Sequence, residues 1–187
     1  MTAADRLTLF RLVAALLLPA VAALAGRGAF LALLVLALAS DALDGPLARR
    51  LGQASPRGAR LDSLADLALY GAVLLCVPVL WPEVAAAEAP WLWTLAACLL
   101  VPQAAAWLKF RTLPCYHTYL AKAAAAAVSL TGLWRLLGGP AWPLHAAIAL
   151  AVVAAAEQLA LTALLERPQA DLHSLWAALD RRRRKGA

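Results

Sequence analysis

The chain has 187 residues, of which 64% are hydrophobic, a mean hydropathy of +0.73 and a formal charge of +6. Soluble domains are about 45–50% apolar, so the excess points to a lipid bilayer as solvent and excludes an ordinary water-soluble domain. The positive charge does not mark a nucleic-acid binder, because the basic residues fall between long apolar runs and at the C-terminus instead of forming one basic face.

A helix needs about 20 apolar residues to cross a hydrocarbon core of ~30 Å. Six runs meet that need, roughly residues 7–24, 29–51, 59–80, 90–108, 119–137 and 142–165. The breaks at 26–28, 81–88 and 138–140 carry Gly, Pro and charged residues. The expected fold is therefore all-α: a polytopic bundle of six transmembrane helices in one membrane domain (1–166), followed by a basic tail (167–187). In the tail, Leu172, Leu175, Trp176 and Leu179 recur at helical spacing ahead of four arginines and a lysine, as in a surface helix lying on anionic headgroups. Cys76, Cys98 and Cys115 show no metal-ligand spacing and no disulfide pattern.

Orientation follows from the basic residues. With a cytoplasmic N-terminus, all but two of the 17 Lys and Arg residues fall on the cytoplasmic side, leaving only Arg27 and Arg135 outside. This asymmetry puts both termini in the cytoplasm and places Trp81, Trp91, Trp93, Trp134 and Trp142 in an aromatic belt at the opposite interface. Reading the first apolar run as a cleaved signal peptide would move the C-terminal Arg run outside and break the asymmetry, so it is expected to stay as a span.

Between the second and third runs lie Asp41, Asp44, Gly45, Ala48 and Arg49, then Gly58, Asp62 and Asp66. Ionisable groups beside a membrane are costly, and four carboxylates require an explanation. Asp41, Asp44, Gly45 and Ala48 share a helix face, and Asp62 and Asp66 stand one turn apart on the next helix. The short intervening loop makes those helices antiparallel neighbours, which converges the acids. Uncompensated anions would repel, whereas two Mg²⁺ or Mn²⁺ ions bind such carboxylate oxygens readily. Gly45 and Ala48 leave room beside the acids, and the planar fork of Arg49 suits phosphate oxygens. Taken one at a time, the small residues also fit helix packing, and Arg49 and Arg50 also fit topology signals. The four carboxylates together have no comparable bland explanation. A small transporter using an acidic cluster is the rival reading from another class.

Residues 41–66 resemble the signature of the CDP-alcohol phosphotransferase family at every fixed position. The resemblance implies an enzyme of phospholipid synthesis at the cytoplasmic face of the cell (inner) membrane. It would move a phosphatidyl group from a CDP-diacylglycerol-type lipid to a small polar alcohol, releasing CMP. It also implies a two-metal site, with Asp41, Asp44 and Asp62 around one ion and Asp41, Asp62 and Asp66 around the other. Asp66 would be the general base, Gly45 and Arg49 would contact the CDP moiety, and Ala48 would give clearance. Ser55 falls where some members place a hydroxyl against the nucleotide. The first span is similar as well, with Thr8 and Arg11 matching nucleotide-side positions while Asp5 stands where Asn is usual. Homodimers are common among relatives, and no seam for one is legible.

For the acceptor, Lys109, Arg111, His117 and Lys122 before and within the fifth run resemble a basic stretch of bacterial phosphatidylglycerophosphate synthases. This implies a phosphorylated acceptor such as glycerol 3-phosphate. The fourth run lacks the Arg-Glu pair usual there, so inositol phosphate and other polar alcohols stay open. Glu157, inside the last run, fits either a functional carboxylate or an ion-pair partner of Lys122.

Overall fold

The structure is a computed structural model that describes residues 3–50, 56–111 and 118–165, with side chains described for 6–43, 58, 61–111 and 118–165. The described residues are helical throughout apart from short connections: α1 (Ala3–Arg50), α2 (Pro56–Leu80), α3 (Pro82–Ala87), α4 (Ala89–Phe110), α5 (Tyr119–Leu136) and α6 (Trp142–Leu164). They fall into two compact units, 1–89 and 90–187.

The first two expected spans are one helical run, α1, interrupted at Gly26. Its φ of 75° and ψ of −170° lie in a region open essentially to glycine alone. An unbroken helix would place residues 11 and 41 ~45 Å apart at 1.5 Å per residue. Instead, Arg11 Nη1 stands 2.9 Å from Asp41 Oδ1, so α1 doubles back at Gly26 as a helical hairpin. Antiparallel to its second half runs α2, since Asp62 and Asp66 reach Arg11 at one end while Leu80 meets Arg27 at the other.

The seam of this unit is made of small and branched apolar side chains at helical spacing. Ala14, Leu18 and Ala22 line the first half of α1, Phe30, Leu34 and Ala37 the second, and Ala65, Leu69, Ala72 and Cys76 line α2. Alanines on every strip let the helices approach closely, which is how membrane helices gain packing energy without water to drive it. Leu16, Leu24, Leu36, Leu75 and Val79 point outward instead, as lipid-facing residues do. At the end opposite the acids, Arg27 fastens the turn. Its Nε donates to the Leu80 carbonyl, its Nη2 meets Glu83 Oε1 at 3.1 Å, and its guanidinium lies 5.4 Å above the Trp81 ring. Phe30 packs edge-on against the same ring. The 81–88 break therefore contains a short helix, α3, started by Pro82 at its first turn.

In the second unit, Trp91 stacks on His145 near the starts of α4 and α6, and Lys109 donates to the Thr162 and Ala163 carbonyls near their ends. These two helices are therefore parallel. α5 packs against α6 and opens on an N-cap, Thr118, whose hydroxyl accepts from Ala121 N–H at 3.1 Å. It closes through Gly138 at φ 94°, whose N–H returns to the Arg135 carbonyl while that of Gly139 returns to Trp134.

Among the described residues, four helical stretches are long and apolar enough to cross a membrane: Arg6–Leu43, Leu61–Leu80, Ala89–Phe110 and Trp142–Leu164. The first, at 38 residues and folded at Gly26, takes in the run expected for 7–24 and the run expected for 29–51 as far as residue 43. The run expected to span at 119–137 forms the 18-residue α5, which is not among these four and carries Lys122 and Arg135 near its ends. The basic tail lies outside the described residues.

Candidate metal centre

Among the described side chains, three of the expected acids meet. Asp41 comes from the second half of α1, and Asp62 and Asp66 from successive turns of α2. One carboxylate oxygen from each lies within 4.8 Å of the other two. Packing sets this convergence. Fully buried Ala37 sits one turn before Asp41, and fully buried Ala65 lies between Asp62 and Asp66, so the backbones carrying the acids close on one another without bulk between them.

Arg11 Nη1 stands among the acids, 2.9 Å from Asp41 Oδ1, 2.8 Å from Asp62 Oδ1 and 2.7 Å from Asp66 Oδ1. Its side chain is fully buried, while the three carboxylates keep 28–40% exposure. The acids thus keep a part-exposed side, while the buried guanidinium nitrogen stands among them. Thr8, one turn earlier on α1, is buried on the same face.

The donor set suits Mg²⁺ or Mn²⁺, which prefer hard carboxylate oxygen. Opposite ligands of an octahedral Mg²⁺ stand about 4.2 Å apart, so oxygens within 4.8 Å of one another are spaced closely enough to share one ion.

The other expected site residues have different places. The helix α1 carries Asp44, Gly45, Ala48 and Arg49 on its last turns, but their side chains lie outside the described residues, as do Ser55 and His117 altogether. Lys109 is turned onto the last carbonyls of α6, at 2.8 and 2.9 Å, where a cation complements the negative end of the helix dipole. Arg111 ends α4 with φ 55° and lays its guanidinium 5.1 Å from the Trp107 ring centroid. Lys122 is exposed in the first turn of α5 and Glu157 is half-buried in α6.

Sequence reasoning missed the contact between Arg11 and the acids, because it assigned Arg11 to the nucleotide. A signal was present: an arginine inside an apolar helix needs an anionic partner, and the nearest acids in sequence able to supply one stood on the following helices.

The family model for CDP-alcohol phosphatidyltransferase matches residues 1–164. Comparison with curated proteins and with solved structures returns no match. The match takes in both halves of α1, the three converging acids and all but the end of the described chain, and on that ground the protein belongs to the CDP-alcohol phosphatidyltransferase family.

Proposed function

We propose that this protein is a membrane-embedded phosphatidyltransferase that uses a CDP-diacylglycerol-type donor. An alcohol oxygen attacks the β-phosphorus of the donor, the bond from that phosphorus to the bridging oxygen breaks, and CMP leaves with the bond's electrons. The alcohol proton passes to a carboxylate oxygen of Asp66. The observation that carries this reading is the meeting of Asp41, Asp62 and Asp66 oxygens within 4.8 Å, in a family that transfers such groups.

Asp41, Asp62 and Asp66, together with Asp44 one turn from Asp41, would hold two Mg²⁺ or Mn²⁺ ions. Bound there, the ions supply Lewis-acid stabilisation of the charge on the transferred phosphoryl group. Gly45 and Ala48 give the nucleotide clearance on the face that carries the acids, and Arg49 binds its phosphate, with Ser55, Thr8 and Arg11 on the donor side. Arg111, His117 and Lys122 bind the phosphate of an acceptor such as glycerol 3-phosphate, joined by Lys109 through the N–H not directed at α6. The bundle crosses the inner membrane six times, with α1 counted as two crossings and α5 as one, and the acids open to the cytoplasm.

The test is CMP release from CDP-diacylglycerol by the purified protein with Mg²⁺ across a panel of alcohols. Asp66→Asn should lower turnover by about 10²–10⁴, the usual contribution of a general base. Its thermal unfolding should stay close to wild type. Near-normal turnover in that variant would refute the base assignment. Solute flux in proteoliposomes lacking CDP-lipid would favour a transporter instead.

A further inference from the structure

The metal reading leaves one observation unexplained. A cationic side chain already stands where the ions would bind. Arg11 Nη1 is at hydrogen-bond or salt-bridge distance from the same three oxygens that form the candidate ion site. Oxygens within 4.8 Å of one another leave room at their centre for one cationic centre, not two. With metal–oxygen bonds of about 2.0–2.1 Å, an ion at that centre would lie closer to Nη1 than two cations tolerate.

We infer that Arg11 is a displaceable internal counter-cation: it holds Asp41, Asp62 and Asp66 together when no divalent ion is bound, and the ion must push it aside to load. The inference rests on the metal reading of the same site and adds a cost to loading that the metal reading alone does not contain.

Two features of the chain support it. The first is burial. Arg11 is fully covered and is followed by a wholly apolar run from residue 12 to residue 25, so its charge has been removed from water and these anions compensate it. The second is origin. Arg11 belongs to the first half of α1, Asp41 to the second half and the other two acids to α2, so a single nitrogen ties together three helical segments. An ordinary ion pair would need one partner. Here three carboxylates that repel each other are gathered on one side chain, which keeps the ligand set assembled before an ion arrives. Arg11 is in this sense a positioning residue for the metal ligands.

The experiment compares wild type, Arg11→Lys and Arg11→Gln in detergent. It measures the Kd for Mn²⁺ by electron paramagnetic resonance and the Tm in chelator and in saturating Mn²⁺. Without lipid donor, Arg11→Gln should bind Mn²⁺ about tenfold more tightly, which is 1.4 kcal/mol. In chelator its Tm should fall by about 5 °C or more, and Mn²⁺ should restore most of the loss. Arg11→Lys, which keeps the charge, should lie between. A purely structural arginine would lower Tm equally in both conditions and leave Kd unchanged or weaker, and that result overturns the inference.

Should Arg11→Gln fail to fold, Asp62→Asn/Arg11→Gln is measured in chelator. Removal of one anion relieves the repulsion, so a folded double variant supports the inference, and an unfolded one overturns it. If wild type itself binds no Mn²⁺, the metal reading fails as well. If wild type binds Mn²⁺ and Arg11→Gln shows no tightening, the metal site stands and only the role of Arg11 is refuted.

Discussion

Ala65→Leu tests whether helix packing sets the spacing of the acids. Ala65 is fully buried on α2 between Asp62 and Asp66, against a seam in which the facing strip carries Ala37, also fully buried. Leucine adds three carbons where no space is left, and overpacking of this kind costs about 1–3 kcal/mol. The larger effect is geometric. Carbon–carbon contact at ~3.5–4.0 Å leaves no slack, so the extra side chain forces α2 away from α1 by an amount on the order of 1 Å. Metal–oxygen distances tolerate only about 0.2 Å. Oxygens now within 4.8 Å would no longer share an ion, and a misplacement of ~1 Å at a reacting site costs about 10²-fold. The expected outcome is Mn²⁺ affinity weakened at least about tenfold and CMP release down about 10²-fold, with the helical circular dichroism signal preserved. Leu64→Phe serves as the control: Leu64, next to Ala65 in sequence, is 43% exposed and points away from the seam, so affinity and rate should stay near wild type. Wild-type Mn²⁺ affinity in Ala65→Leu would refute the claim that packing at this position sets the ligand spacing.

The remaining expectations concern stability. Arg27→Ala removes the donor to the Leu80 carbonyl and the contact with Trp81, and its exposed pair with Glu83 adds little. A loss of about 2 kcal/mol in unfolding free energy is expected, read in a denaturant titration, with Mn²⁺ Kd unchanged because the acids lie at the far end of the hairpin. Thr118→Ala deletes the N-cap of α5 and should cost about 1 kcal/mol by the same measurement, whereas Thr118→Ser should cost little. Gly26→Ala should destabilise the turn of α1 because its φ of 75° suits glycine, even though no atom stands within 4 Å of the added methyl.

The helices were legible because a bilayer imposes its thickness on the sequence: α1 takes in two apolar runs, and each of α2, α4, α5 and α6 follows one. The acids were legible because intervals of three and four residues place side chains on one helix face whatever the tertiary context. Other features depend on partners distant in the chain. Nothing local to Arg11 specifies that it meets residues 41, 62 and 66, since the fold at Gly26 determines which groups come within reach. Nothing local to Lys109 specifies its hydrogen bonds to the α6 carbonyls, which lie 53 and 54 residues away. The helix α3 went unread because six residues opened by Pro82 resemble a loop in composition.

The doubling of α1 has a consequence for biogenesis. Arg11 and Asp41 both lie in the apolar stretch Arg6–Leu43, toward the outer ends of the two arms that meet at Gly26, where a lone charge is still costly though less so than the roughly 2.5–3.5 kcal/mol of a mid-membrane position. Entering one after the other, each arm would carry its charge unpaired. Entering together, they cancel their charges on the way in. The chain is thus built to partition into lipid as a paired unit, and the glycine at its bend sets the point where that unit can form.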